Sequence, residues 1–218
     1  KIGYDSIQTP TQQLMSDYQK MYDLLQENKP SKVLLFTLRT LLNRKAYLQY
    51  MLQFVKNQNW SQRWAARDSM MADNITWLQD HFYQHEKLIV IAHNFHIARY
   101  SEKEQVMGEM LAPRYGPEMY TLGVFAGGGT FANNAGKEEQ MLPADTSKLD
   151  IQHVIATTKG FATYLNIPKS KAKGSEWLNQ AIVVNNTFID LSNSNSLILS
   201  KHFDGLIFLD KVSVPEKP

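Results

Sequence analysis

The hydrophobic period of the chain changes near residue 86, and that change limits the folds open to it. Ahead of it, Leu14, Met15, Tyr18, Met21, Tyr22 and Leu25 recur at three- and four-residue steps, the spacing of an amphipathic helix. Pro30 and Ser31 break the pattern. A second helix is expected over about 32–56, apolar enough to be buried on more than one side. A third begins near Ser61, with Trp64, Met71, Ile75 and Leu78 along one side. After residue 86 the runs are short. Residues 88–92, Leu-Ile-Val-Ile-Ala, are β-branched and closed by polar residues, the pattern of a strand buried on both faces. A helix is expected over 102–112, ending at Pro113. A strand over 121–126 is stopped by Gly127, Gly128 and Gly129. A loop follows over about 132–150, then a helix over 151–165 that ends near Pro168. Strands are expected at 181–186 and 205–212, with a polar surface loop at 185–196. Strands alternating with helices predict an α/β fold with a largely parallel sheet. Residues 1–85 form its helical region and 86–218 its α/β portion.

Composition removes whole classes of function. The 218 residues are 43% hydrophobic and 20% charged, an ordinary globular balance. The net charge of +2, from 23 basic and 21 acidic residues, lacks the basic excess of a nucleic-acid binder, so no nucleic-acid partner is expected. No apolar run approaches the roughly 20 residues that span a bilayer, and no membrane partner is expected. The absence of cysteine removes disulfides, zinc–thiolate sites and cysteine nucleophiles together. No signal-peptide pattern follows Lys1, and the compartment stays open, with the cytoplasm as the default.

The sharpest chemical signal lies where the first expected strand ends. His93 follows Ala92 directly, and His96 stands three residues further on. In α/β sheets, ligands gather at the carboxyl ends of strands, and one helical turn would bring the two imidazoles to one side. Two imidazoles could act as base and oxyanion partner near neutral pH, or as two metal ligands. They could equally be a core histidine and a surface one. Asn94 between them can cap a turn. On the third helix, Arg67, Met71, Asn74 and Leu78 share one stripe, so a buried Arg67 would need an anion or carbonyl partner; a structural ion pair explains it as well. Asp68 and Asp73 are expected to be solvated or capping. Phe125 and Gly127 end the 121–126 strand, where glycines allow a close backbone approach, to a ligand or within a tight turn. Glu109, Arg114 and Tyr115 fit a helix and turn. No G-x-S-x-G elbow or H-E-x-x-H motif is present, and the basic stretch 169–173 reads as a solvated loop.

The ordered set of motifs resembles the erythromycin esterase family, some of whose bacterial members carry the label succinoglycan biosynthesis protein. The pieces are Arg67-Asp68-x-x-Met71-Ala72-x-Asn74, Ala92-His93-Asn94-x-His96, Met107-Gly108-x-x-Leu111 with Tyr115-Gly116, Leu122-Gly123 through Gly127, and Phe203-Asp204-x-x-Ile207-Phe208-x-Asp210. They cover about residues 60–212. The resemblance implies a three-layer α/β/α fold with long helical insertions. It implies hydrolysis of an ester by activated water without metal or cofactor, the substrate being a macrolide lactone in the named members. It assigns His93, His96 and Arg67 as catalytic, with Asn94, Asn74, Met71, Gly127 and Phe125 as substrate-binding residues.

The family's general base is a histidine in its N-terminal half, near a Gly-Glu or Glu-x-x-His segment. No histidine here is followed by Gly-Glu. The expectation is therefore the C-terminal portion of an esterase-like hydrolase acting on a small ester or lactone, an incomplete domain that is inactive alone. The alternative is a ligand-binding homologue that lacks the base. A seam where strands are missing would expose apolar surface and sheet edge, so self-association is expected.

Overall fold

The computed structural model describes residues 3–102, 104–133, 135–158, 160–170, 172–185 and 194–214. These fall into two compact units, Lys1–Gln84 and His85–Pro218.

The first unit is helical: α1 (Tyr4–Gln26), α2 (Lys32–Asn57) and α3 (Trp60–His81). Its breaks follow local chemistry. Ser31 caps α2 by accepting the Leu34 N–H at 3.1 Å. Gln58 ends α2 in the left-handed region, at φ 51°, and Asn59 caps α3 by accepting the Gln62 N–H at 3.1 Å. Side-chain acceptors at these positions satisfy amides that a helix start leaves unpaired. The first helix begins seven residues before the Thr11 start that its periodicity suggests and carries Pro10 inside it. Leu41, Leu52, Ala66 and Ala72 are the unit's buried apolar residues. Phe36 adds a ring cluster, stacked on Phe82 at 4.7 Å and edge-on to Trp77 at 5.3 Å.

The second unit is mixed. In chain order it contains α4 (Asn94–Ile97), α5 (Met107–Tyr115), β1 (Leu122–Ala126), β2 (Thr130–Ala132), β3 (Glu138–Gln140), α6 (Ile151–Ala156), β4 (Ala162–Asn166), β5 (Ala181–Asn185), β6 (Ser194–Ile198), α7 (Leu199–His202) and β7 (Gly205–Leu209). The largest sheet has the order β1-β7-β4. β1 runs parallel to β7, with Leu122 opposite Gly205 and Ala126 opposite Leu209. β4 is antiparallel to β7. β2–β3 and β5–β6 are antiparallel pairs. Alternation along the strands gives the sheet one buried face, where Phe125, Leu206 and Phe208 join a core with Ile151, Ile155, Ile182 and Phe203. Each fully buried side chain of this size contributes about 1.5–3 kcal/mol.

Several sequence expectations change here. Pairing among the described strands is mostly antiparallel; β1–β7 is the one parallel pair of named strands. Residues 88–92 form no strand and pair with no described strand, and Ile89 and Ile91 are 89% and 93% exposed. Hydropathy identifies a segment suited to burial; it does not supply the neighbour that buries it. The expected helix at 151–165 is α6 followed by β4. Thr157 and Thr158 turn their hydroxyls back to the carbonyls of Val154 and Ile155, both at 2.7 Å, a local bond that competes with helix continuation. Gly160, at φ 105°, then redirects the chain. α5 starts five residues later than the expected helix and carries Pro113 within it. The expected loop at 132–150 includes β3. Of the expected loop at 185–196, residues 186–193 lie outside the described residues, as does Lys171 of the basic stretch. Among the described residues, no helix is long and apolar enough to cross a membrane.

His202 makes the stability of this unit depend on pH. It is 4% exposed, and its Nδ1 sits 2.7 Å from the Ile198 carbonyl. Desolvation holds its pKa below the ordinary value, with a smaller lowering from Lys201; the Ile198 hydrogen bond and Glu102 oppose the shift. The unfolded chain therefore binds this proton more readily than the folded one. The stabilisation is present above the unfolded value of about 6.5 and is lost as pH falls below it. Thermal melts from pH 7.5 to 5 should show a falling midpoint, and His202→Asn should flatten that slope. An unchanged slope in the variant would remove His202 as its source.

Candidate functional site

The two histidines are brought together by a single turn. His93 follows residues 88–92 and caps α4; its main-chain carbonyl accepts the His96 N–H at 2.9 Å. Two anchors fix the turn from within. Phe95 is buried in the core, and its ring lies edge-on to the His96 ring at 5.4 Å. Asn94 accepts the Val124 N–H at 2.9 Å and donates to the Val124 carbonyl at 2.7 Å. One side-chain amide thus does what a neighbouring strand would do along β1. His93 itself is exposed.

The electrostatics of His93 favour its neutral form. Desolvation lowers its pKa, and the nearby His96 lowers it further. Its Nδ1 accepts a long hydrogen bond, 3.4 Å, from the Phe95 N–H. A neutral ring whose Nδ1 is an acceptor carries its proton on Nε2. His93 is thereby set up as a neutral Nε2–H donor near pH 7, suited to polarising a carbonyl without first giving up a charge.

The glycine turn after β1 has a structural partner. The Gly127 N–H donates to the Leu209 carbonyl at 2.8 Å, and a Cβ on Gly127 would stand 2.8 Å from the Asp210 carbonyl and 2.9 Å from Ile155. The close approach anticipated from sequence occurs, toward the chain's own backbone. Phe125 is 1% exposed and meets Phe203 edge-on at 5.7 Å; it is part of the core that carries the turn.

Arg67, Met71 and Asn74 lie on α3, in the helical unit. Asn74 accepts from Arg39 Nε at 2.6 Å and from Asn43 Nδ2 at 3.0 Å, which ties α2 to α3. Met71 is half-buried. Arg67 is exposed rather than buried, with its guanidinium carbon 5.5 Å from the Trp64 ring centre. Asp68, expected to be solvated, is 1% exposed. The buried residues of α3 are Ala66, Asp68 and Ala72, none of them in the stripe of larger side chains.

Sequence reasoning missed the brace behind the histidine turn. Arg99, three residues after His96, donates to Asp204 at 2.7 Å and to the carbonyls of Gly116 and Met119. Asp204 also accepts the Thr121 N–H at 2.8 Å. The available signal was Asp204 in the Phe-Asp-x-x-Ile-Phe motif, whose role was unassigned. Among the described residues, no three His, Asp or Glu side chains converge as a metal-binding group.

A mixed α/β unit that presents a histidine turn beside a parallel strand pair, together with a long-helix unit, defines the class. The chain belongs to the erythromycin esterase family, whose profile matches residues 4–212. It is 23% identical over 158 residues to "Putative hydrolase YbfO" of Bacillus subtilis (strain 168), an alignment that covers 67% of this chain and 35% of that protein. A Bacillus cereus protein of known crystal structure shares its fold at TM-score 0.77 and 20% identity, over 94% of this chain and 53% of that one. A crystal structure of a succinoglycan biosynthesis protein matches at TM-score 0.75 and 19% identity, over 94% of this chain and 51% of that one. The chain thus spans about half the length of these structures and about a third of the curated relative.

Proposed function

We propose that this chain provides the carbonyl-binding half of a carboxylic ester hydrolase, acting on a lactone or related ester of the macrolide type. The observation that carries the reading is the pair His93 and His96, held on one turn that Asn94 and Phe95 fix. As water adds to the ester carbonyl, negative charge develops on its oxygen. A preorganised donor aimed at that oxygen stabilises the transition state more than the ground state. His93 Nε2–H fills that role and His96 stands beside it. Phe125 supports the turn from the core, and Asn94 acts as a positioning residue through Val124. The general base that activates water lies in the half of the family fold that this chain does not span. In that complete fold, helices cover both faces of the sheet, giving three layers.

The test is hydrolysis of a panel of macrolide lactones and p-nitrophenyl esters by the protein as its host makes it. His93→Gln should lower kcat by about 10²–10³-fold, the cost of removing one oxyanion donor, with a much smaller change in KM. Full activity in the variant would remove His93 from the mechanism. The 218-residue chain alone should not turn over any of these esters; turnover would place the base within it.

A further inference from the structure

The net charge of +2 averages two very different parts of the chain. Between Glu27 and Asp68 stand eight basic residues and no acidic one, so the rest of the chain is net acidic. An anionic surface responds to such local asymmetry rather than to the total. The stretch takes in all of α2 and the start of α3, and the corner between these helices gathers cations around aromatic rings. Phe54 meets Trp60 edge-on at 4.6 Å, and the Trp60 and Trp64 ring centres are 6.4 Å apart. The Arg63 guanidinium lies 5.0, 5.1 and 5.9 Å from the ring centres of Phe54, Trp60 and Trp64. Arg67 adds a second guanidinium over Trp64. Lys56 is exposed near the end of α2, with its Nζ 5.8 Å from the Tyr4 ring. Trp60 and Trp64 remain 54% and 39% exposed. Few acids oppose this cluster. Asp68, which closes the stretch, is buried. Asp5 follows Tyr4, but Asp17 and Asp23 lie more than three turns further along α1.

We propose that the α2–α3 corner, Trp60 and Trp64 with Lys56, Arg63 and Arg67, is a docking surface for an anionic lipid bilayer. The helical unit lies on such a surface and does not span it. Charge complementarity selects an anionic partner: local cations attract acidic headgroups, and the acid-free stretch behind them extends the favourable field. The rings select lipid among anionic partners. A nucleic-acid base stacks on an open ring face, whereas each indole here already has a guanidinium over it. A bilayer interface makes a different demand. Indoles settle at headgroup level with an apolar body inward and the N–H toward water. A guanidinium stacked on a ring keeps its N–H edge for phosphate. The expectation of no membrane partner rested on spanning length, which this mode of contact does not require. The inference concerns the helical unit alone and is independent of the hydrolytic reading.

The experiment measures co-sedimentation of the 218-residue chain with phosphatidylcholine vesicles, with and without phosphatidylglycerol. The chain should bind when phosphatidylglycerol is present, bind less as salt rises, and stay in solution with phosphatidylcholine alone. Indole emission should shift to the blue on binding. Arg63→Gln/Arg67→Gln should weaken binding by about 30-fold, the scale of two cations at a charged surface. Trp60→Ala/Trp64→Ala should weaken it by at least roughly tenfold through lost apolar burial. Lys169→Gln/Lys173→Gln removes the same charge from exposed positions of the second unit and should bind like the parent. This comparison at equal net charge, with thermal melts of all three variants, separates a docking surface from general attraction. Four results would each overturn the proposal. They are no binding to phosphatidylglycerol vesicles, equal binding to phosphatidylcholine, equal losses from the arginine and lysine pairs, or a preference for single-stranded DNA over the vesicles.

Discussion

Gly129→Ala should lower the stability of the α/β unit by about 3–5 kcal/mol, the range of the most damaging single substitutions. Gly129 has φ 115°, and a Cβ there would stand 1.9 Å from the Val212 carbonyl oxygen. Positive φ alone strains an alanine, and the overlap is with backbone, which cannot rotate away. Three pieces of chain meet at this residue. Gly129 bridges Val212, the Thr130 N–H donates to the Val212 carbonyl at 2.9 Å, and the Met141 N–H donates to the Gly129 carbonyl at 3.0 Å. The β1 extension, the β2–β3 hairpin and the segment after β7 would have to separate to admit a methyl group. Gly128, where an added methyl group would meet nothing within 4 Å, provides the control. Thermal unfolding should show Gly129→Ala melting roughly 10 °C below the parent and Gly128→Ala close to it. Equal midpoints for the two variants would contradict the close approach.

Asp204→Ala is the second large effect. Its carboxylate joins Arg99 at 2.7 Å and the Thr121 amide at 2.8 Å, with Arg99 and Asp204 side chains only 21% and 15% exposed. Removing one member of a largely buried pair leaves the other charge without its partner, a loss of about 3–5 kcal/mol when burial is complete. Residual exposure of both groups reduces the expectation to about 2–4 kcal/mol. Arg99 still has the Gly116 and Met119 carbonyls, so Arg99→Ala/Asp204→Ala should cost less than the sum of the single variants. A double-mutant cycle by chemical denaturation reads that coupling. Strict additivity would mean that the two side chains act independently.

The long helices were legible in the sequence because their periodicity extends over twenty residues or more and their caps are local. Ser31 and Asn59 mark boundaries that need no tertiary information. The short elements were harder. Residues 158–166 contain threonine, aromatic and β-branched residues that suit a strand, yet continuing apolar spacing from Ile151 suggested a helix; pairing of β4 with β7 decides the outcome. Residues 88–92 show the opposite case, a pattern suited to a buried strand that pairs with no strand among the described residues. At the site, His93 and His96 stood out because they follow an apolar run at once. Arg99 and Asp204 did not, because 105 positions separate them and neither carries a spacing signal. Gly127 was legible as a close approach, although sequence could not say that the approaching group is the backbone of Asp210.

The central claim is that His93 is a neutral imidazole offering Nε2–H at working pH. Nitrogen-15 NMR of the histidine rings tests it without knowledge of the substrate. At pH 7 the account predicts an unprotonated Nδ1 and a protonated Nε2 on His93, with the ring gaining its second proton only below about pH 6.5. A doubly protonated His93 at pH 7, or a neutral ring with its proton on Nδ1, would contradict it.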